Sequence, residues 1–141
     1  MNKSGPIIII EDDIEDESML KEIFKYLHHP NLIVFFNDCE AALEYLENIK
    51  DPPFLIISDI NMPRLNGFQL REKLQNNEGL QLKCIPYLFF STKAEQQHVI
   101  DAYSKSIQGF FVKPGTYSDL LRIIKNIIAY WKDCHSPNLV I

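Results

Sequence analysis

Ile7-Ile8-Ile9-Ile10-Glu11-Asp12-Asp13 is the stretch on which the fold turns. Four consecutive isoleucines leave no polar face, so the run reads as a β-strand covered on both sides. Three carboxylates follow at once. Ile14–Leu27 then sets Met19, Leu20, Ile23, Phe24 and Leu27 at helical spacing. Strand, acidic turn and helix are the opening half of a βαβ unit, and the pattern recurs along the chain. Residues 32–36 form a β-rich run, and 39–49 follow with Ala42, Leu43, Leu46 and Ile49 at helical spacing. Residues 54–57 come after the Pro52-Pro53 break and lead to Phe68, Leu70 and Leu74, a helix that fades in polar 75–79. Residues 86–90 precede a helical 95–103, and Gly109–Val112, stopped by Pro114, precedes a last helix over 118–131.

Five strands alternating with five helices predict an α/β fold of (βα)5 type. Right-handed crossovers make it a doubly wound five-stranded parallel sheet, in the flavodoxin-like order 2-1-3-4-5. The length of 141 residues suits one domain, with 46% hydrophobic and 23% charged residues. We expect the domain to cover residues 1–132, with a short C-terminal tail over 133–141. No output domain fits after Trp131, so a stand-alone molecule is expected. A net charge of -5 and a pI near 5.3 argue against a nucleic-acid surface. The apolar runs are strand-sized, so no membrane span or signal-peptide core is expected. Cys39, Cys84 and Cys134 are odd in number and lack C-x-x-C spacing, which predicts free thiols and a cytoplasmic location.

In such a sheet the ligand crevice lies beyond the carboxyl ends of the strands. Strand one ends in Glu11-Asp12-Asp13, strand three in Ser58-Asp59, strand four in Ser91-Thr92, and strand five in Lys113-Pro114. Strands one and three are neighbours in this order, so Asp12 and Asp59 are predicted to meet. Clustered carboxylates in one crevice call for a cation, and hard oxygen ligands suit Mg2+. With one Lys and one hydroxyl, they describe a site for a metal-bound phosphoryl group. Each piece has a plainer reading when taken alone. Six of the seven residues from Glu11 to Glu17 are carboxylates, which a helix N-terminus favours. Asp59 could be a turn residue, Ser91 an N-cap and Lys113 a surface lysine. Their joint placement at four strand ends is what favours phosphoryl chemistry.

Ile7 to Asp13, Ile57-Ser58-Asp59-Ile60-Asn61-Met62-Pro63-Arg64-Leu65-Asn66-Gly67, Phe90-Ser91-Thr92 and Val112-Lys113-Pro114 together resemble the receiver domains of two-component response regulators. The resemblance implies that Asp59 is phosphorylated by a sensor histidine kinase or a phosphotransfer protein. It makes Asp12 a direct Mg2+ ligand, Glu11 a second acid, and Asn61 a ligand through its backbone carbonyl. Ser91 and Lys113 would contact phosphoryl oxygens, and Phe110 takes the place of the switch aromatic. Asn61 and Lys93 stand where the family tunes self-dephosphorylation; a long cationic chain at 93 reads either as an obstruction to attacking water or as a solvated first-turn lysine of the fourth helix. The Lys113-Pro114 bond is expected to be cis, and Gly67 to supply backbone freedom. The implied role is signalling rather than enzymatic, through an unidentified downstream protein, with neither nucleic acid nor membrane as partner.

The sequence departs from the family pattern at Phe110, commonly Tyr, at Cys39, frequently Gly, and at Gly115, frequently aromatic. Ser106-Ile107 stands in place of the usual small pair. A phosphatase of the haloacid-dehalogenase type would need an acid where Asn61 stands, since an amide donates no catalytic proton. A flavodoxin-type cofactor domain would need a phosphate-cradling loop where the acidic run stands. A receiver that is never phosphorylated is disfavoured by the intact Asp12, Asp59, Ser91 and Lys113 set. Along the last helix, Leu120, Leu121, Ile124, Ile127, Ile128 and Trp131 form one stripe towards the sheet. Ile123 and Tyr130 lie off it and, with Phe110, predict a surface for a homodimer or a target. His28, His29, His98 and His135 have no ligand spacing and read as surface residues.

Overall fold

Successive residues of a strand point to opposite faces of the sheet, so a wholly apolar strand needs a cover on each side. The computed structural model describes residues 2–81, 85–92 and 95–135, without the side chains of 80 and 81. In it the four isoleucines of β1 (Ile7–Ile10) are all buried. Ile7 and Ile9 enter one core with Ile23 and Phe24 of α1 (Ile14–Leu27) and Ile124 and Ile127 of α6 (Tyr117–Asp133). Ile8 and Ile10 enter a second core with Leu46 of α2 (Cys39–Asn48), Leu70 of α3 (Gly67–Gln75) and Ala102 of α5 (Gln96–Ser104). A single turn, α4 (Glu78–Gln81), follows α3 and adds to the five expected helices.

The remaining strands are β2 (Ile33–Phe36), β3 (Leu55–Ser58), β4 (Tyr87–Ser91) and β5 (Gly109–Val112). The five strands are parallel in the order β2-β1-β3-β4-β5, the predicted topology. The β1/β3 register places Ile10 opposite Ser58, so the two acidic strand ends finish level. β4 and β5 finish level too, with Ser91 opposite Val112.

Four of the helices, α1, α2, α3 and α6, begin where a side chain satisfies a first-turn N–H group. Asp13 accepts from Asp16 N–H at 3.0 Å, and Asp38 from Ala41 N–H at 2.7 Å. Asn66 and Gln69 form a reciprocal capping box, each bond 2.9 Å long. Gly67 serves a different purpose from the one expected. It has no positive φ, but a Cβ there would lie 2.3 Å from the Asp59 carbonyl oxygen. The residue is small so that α3 can start against the strand end. No helix among the described residues is long and apolar enough to cross a membrane.

Candidate functional site

Four elements converge at the carboxyl end of the sheet. Asp59 follows β3, and its N–H donates to the Ile10 carbonyl at 2.9 Å, which ties it beside β1. Glu11 N–H donates to the Phe36 carbonyl at 2.9 Å, and Lys113 N–H to the Ser91 carbonyl at 2.8 Å. These backbone bonds prolong the ladder by one residue and fix where each side chain leaves it. Ligand oxygens of Glu11, Asp12 and Asp59 lie within 4.8 Å of one another. Glu11 and Asp59 are buried, while Asp12 is exposed at the mouth.

Lys113 closes the cluster from β5. Its Nζ donates to Glu11 Oε1 at 2.9 Å, Asp16 Oδ2 at 2.9 Å and Asp59 Oδ2 at 3.1 Å. Asp59 Oδ1 accepts the Ile60 N–H at 2.7 Å, and Glu11 Oε1 also accepts the Asp13 N–H at 3.2 Å. Burial pushes the Glu11 carboxyl up to about 7, although the hydrogen bond from Lys113 opposes the rise. Burial alone would lower the Lys113 ammonium, but its hydrogen bonds to Glu11 and Asp16 hold it above the usual lysine value. Four carboxylates around one ammonium carry a formal charge of -3. Hard oxygens with excess negative charge, two of the acids buried, fit a divalent cation such as Mg2+. Glu11, Asp12 and Asp59 are the side chains placed to hold it.

The Lys113-Pro114 bond is trans, contrary to expectation. The lysine reaches all three carboxylates through the ordinary trans geometry, so no cis bond is needed to aim it. Asn61 is exposed in the loop after Asp59. That loop is held from α2: Glu40 Oε1 accepts the Leu65 N–H at 3.1 Å, and Glu40 Oε2 lies 3.4 Å from Arg64 Nη2. Arg64 itself adopts φ 64°, in the left-handed region. Ser91 is buried at the end of β4. Lys93 and Cys84 lie outside the described residues. Cys39 is fully buried, and burial pushes its thiol up to about 12, which leaves it a small core residue.

Phe110 is half-buried, its ring centroid 6.5 Å from Phe89 and 6.1 Å from His98. His98, expected at the surface, is only half-buried there, with one ring edge turned inward. It packs edge-on against Phe68 at 5.2 Å, and its buried Nε2 has no hydrogen-bond partner among the described residues. Ile123 also differs from expectation, since it is partly buried against the core and leaves Tyr130 as the exposed member of the pair. Asp16 is the site residue that sequence reasoning missed. It stood unremarked in the acidic run, and nothing in its spacing announces that α1 brings it to the lysine after β5.

A family model described as the response regulator receiver domain matches residues 7–125. Among curated proteins, the chain is 24% identical to response regulator Rcp1 of Synechocystis sp., covering 92% of this chain and 90% of Rcp1. It is 26% identical to chemotaxis protein CheY-3 of Vibrio cholerae, covering 85% and 88% respectively. Among solved structures, the phosphorylated cyanobacterial phytochrome response regulator RcpA aligns with a TM-score of 0.84 at 23% identity, covering 94% of this chain and 98% of RcpA. The Mn2+-bound form of Rcp1 aligns with a TM-score of 0.81 at 22% identity, covering 94% and 99%.

Proposed function

The chain belongs to the response regulator receiver family, and on that premise we propose that Asp59 is its phosphorylation site. The donor is a phosphohistidine on a sensor histidine kinase or a phosphotransfer protein. A carboxylate oxygen of Asp59 bonds to phosphorus while the bond from phosphorus to the histidine nitrogen breaks, and the imidazole leaves with the electron pair. Glu11, Asp12, Asp59 and the backbone carbonyl of Asn61 hold Mg2+, which when bound neutralises charge on the transferring oxygens. Lys113, already 3.1 Å from Asp59 Oδ2, pairs with one phosphoryl oxygen. Ser91 hydrogen-bonds another, and Phe110 repacks in response. Asn61 and Lys93 tune the lifetime of the phosphorylated form.

The downstream surface is the face of α5, β5 and α6, where Ile100, Tyr103, Val112 and Tyr130 are exposed apolar side chains. Its occupant is an unidentified target protein or a second copy of the chain. A phosphohistidine donor and free thiols at Cys39 and Cys134 fit a cytoplasmic location.

The observation that carries this reading is the convergence of Glu11 and Asp12 from the end of β1, and of Lys113 from the end of β5, on the Asp59 carboxylate after β3. The test is intact-mass measurement after incubation with acetyl phosphate and Mg2+. One phosphate should appear on the native chain and none on Asp59→Asn or in the presence of excess EDTA. Equal incorporation into native and Asp59→Asn protein would overturn the assignment.

A further inference from the structure

An ammonium has three N–H bonds to give. Lys113 has spent all three, on Glu11 at 2.9 Å, Asp16 at 2.9 Å and Asp59 at 3.1 Å. A phosphoryl group on Asp59, as read above, brings new acceptor oxygens to a donor with nothing spare. One existing contact must be released. Glu11 is only 3% exposed, so water cannot take the place of Lys113 there. Asp59 is the point of attachment itself. Asp16 differs from both. Its side chain is 36% exposed on the first turn of α1, and it stands outside the Glu11, Asp12 and Asp59 group. Water can take the place of Lys113 there at little cost.

Two further features make the release local. The Asp16 N–H is held by Asp13 Oδ1 at 3.0 Å, so the side chain can let go while the helix start stays in place. A cavity of about 150 Å3 has Asp16, Asp59 and Lys113 in its wall, which gives the ammonium room to shift. A Cβ at Gly115, which lines the same cavity, would have nothing within 4 Å.

We propose that Asp16 is a positioning residue that competes with the phosphoryl group for Lys113. It holds the ammonium in the unphosphorylated chain and so sets how tightly the site retains a phosphoryl group. The inference rests on the phosphoryl-site reading and adds a residue to it. Asp16→Asn keeps the shape and one acceptor oxygen but removes the charge. Glu17→Gln is the matched control, one residue along the same helix, where Glu17 instead pairs with Lys21 at 2.7 Å.

The experiment is titration calorimetry of beryllofluoride, a phosphoryl analogue, into the full chain at saturating Mg2+. Asp16→Asn should bind about 3- to 10-fold more tightly than Glu17→Gln, the scale of exchanging a charge-assisted contact for a neutral one. Mg2+ affinity, measured without beryllofluoride, should match in the two variants, because Asp16 is outside the metal group. A residue that merely steadied α1 would not move one affinity and spare the other. Native binding with Asp16→Asn no tighter than Glu17→Gln overturns the inference alone. A native chain that binds no beryllofluoride overturns the phosphoryl-site reading and the inference with it.

Discussion

Lys113 and Lys132 sit at opposite ends of the same sheet, and they are held by opposite kinds of oxygen. Around Lys113 every acceptor is a carboxylate. Around Lys132, in the last turn of α6, every acceptor is neutral. Its Nζ donates to the Lys3 carbonyl at 2.7 Å and to Asn31 Oδ1 at 3.2 Å, and it lies 4.9 Å from the Phe54 ring centroid. The Lys3 ammonium donates in return to the Lys132 carbonyl. Asn31 Nδ2 completes the knot with bonds to the carbonyls of Lys3 and Gly5. Burial and the nearby Lys3 lower the Lys132 ammonium, whereas the carboxylates raise Lys113. Carbonyl acceptors close a surface without leaving net charge. Carboxylates outnumber the lysine at the other pole, and the charge left over is what fits that pole to a cation.

The sharpest way to break this comparison is Lys113→Met, which leaves Glu11, Asp16 and Asp59 without their cation. Removing one member of a buried ionic cluster costs about 3 kcal/mol. The loss should approach that figure at pH 8 and shrink at pH 5, where Glu11 can take up a proton. Urea denaturation at the two pH values reads it. An equal loss at both would make Lys113 a packing residue and the contrast with Lys132 empty.

A second expectation concerns the native chain in the absence of divalent cations. Glu11 has its carboxyl raised from 4.5 to about 7 on folding, by burial, so the folded state binds its proton more tightly. The stability this confers is fully present below pH 4.5 and is lost as the pH rises through about 7. The fall should reach at most ~3 kcal/mol. Glu11→Gln should abolish it. What remains should be a shallower slope of the opposite sign from His29, which burial and Lys132 lower below 6.5, so that its contribution is lost as the pH falls. Saturating Mg2+ should reverse the native slope, because the ion binds the charged form of Glu11. A native stability that is flat from pH 4.5 to 8 without metal would contradict the burial of Glu11 as a strained carboxyl.

The smallest effect belongs to the neutral pole. Asn31→Ala removes two bonds to backbone carbonyls and one acceptor for Lys132, and should cost about 1–2 kcal/mol. Mg2+ affinity should stay at the native value. A shift in metal affinity after this change would mean that the two ends of the sheet are coupled, and that the distinction drawn between them is only one of position.

The fold was legible because each strand announces its own environment. Ile7–Ile10 and Leu55–Ser58 are buried at every position, and such runs suit only strands with helices on both faces. The site was legible for a related reason. Parallel strands in this order bring Glu11, Asp12, Asp59, Ser91 and Lys113 to one end, whatever the helices do in detail. Boundaries moved by a residue or two. β3 runs Leu55–Ser58 because Phe54 N–H instead donates to the Pro6 carbonyl, before the ladder begins.

What the chain's own pattern left open depends on how one element lands on another. Periodicity puts Ile123 off the stripe of α6, yet it is partly buried against the core. His98 looks polar in sequence but packs its ring against Phe68 and Phe110, which come from two other elements. Gly67 is explained by the nearness of the Asp59 carbonyl rather than by its own φ. Asp16 meets Lys113 across 97 positions of chain, through the seating of α1 against the end of β5. Hydrophobic spacing therefore determined the strands, their covers and the pole at which the acids gather, since those follow from each segment's burial alone. Only the tertiary structure decided which carboxylates share the lysine, because that depends on distances between side chains carried by separately packed elements.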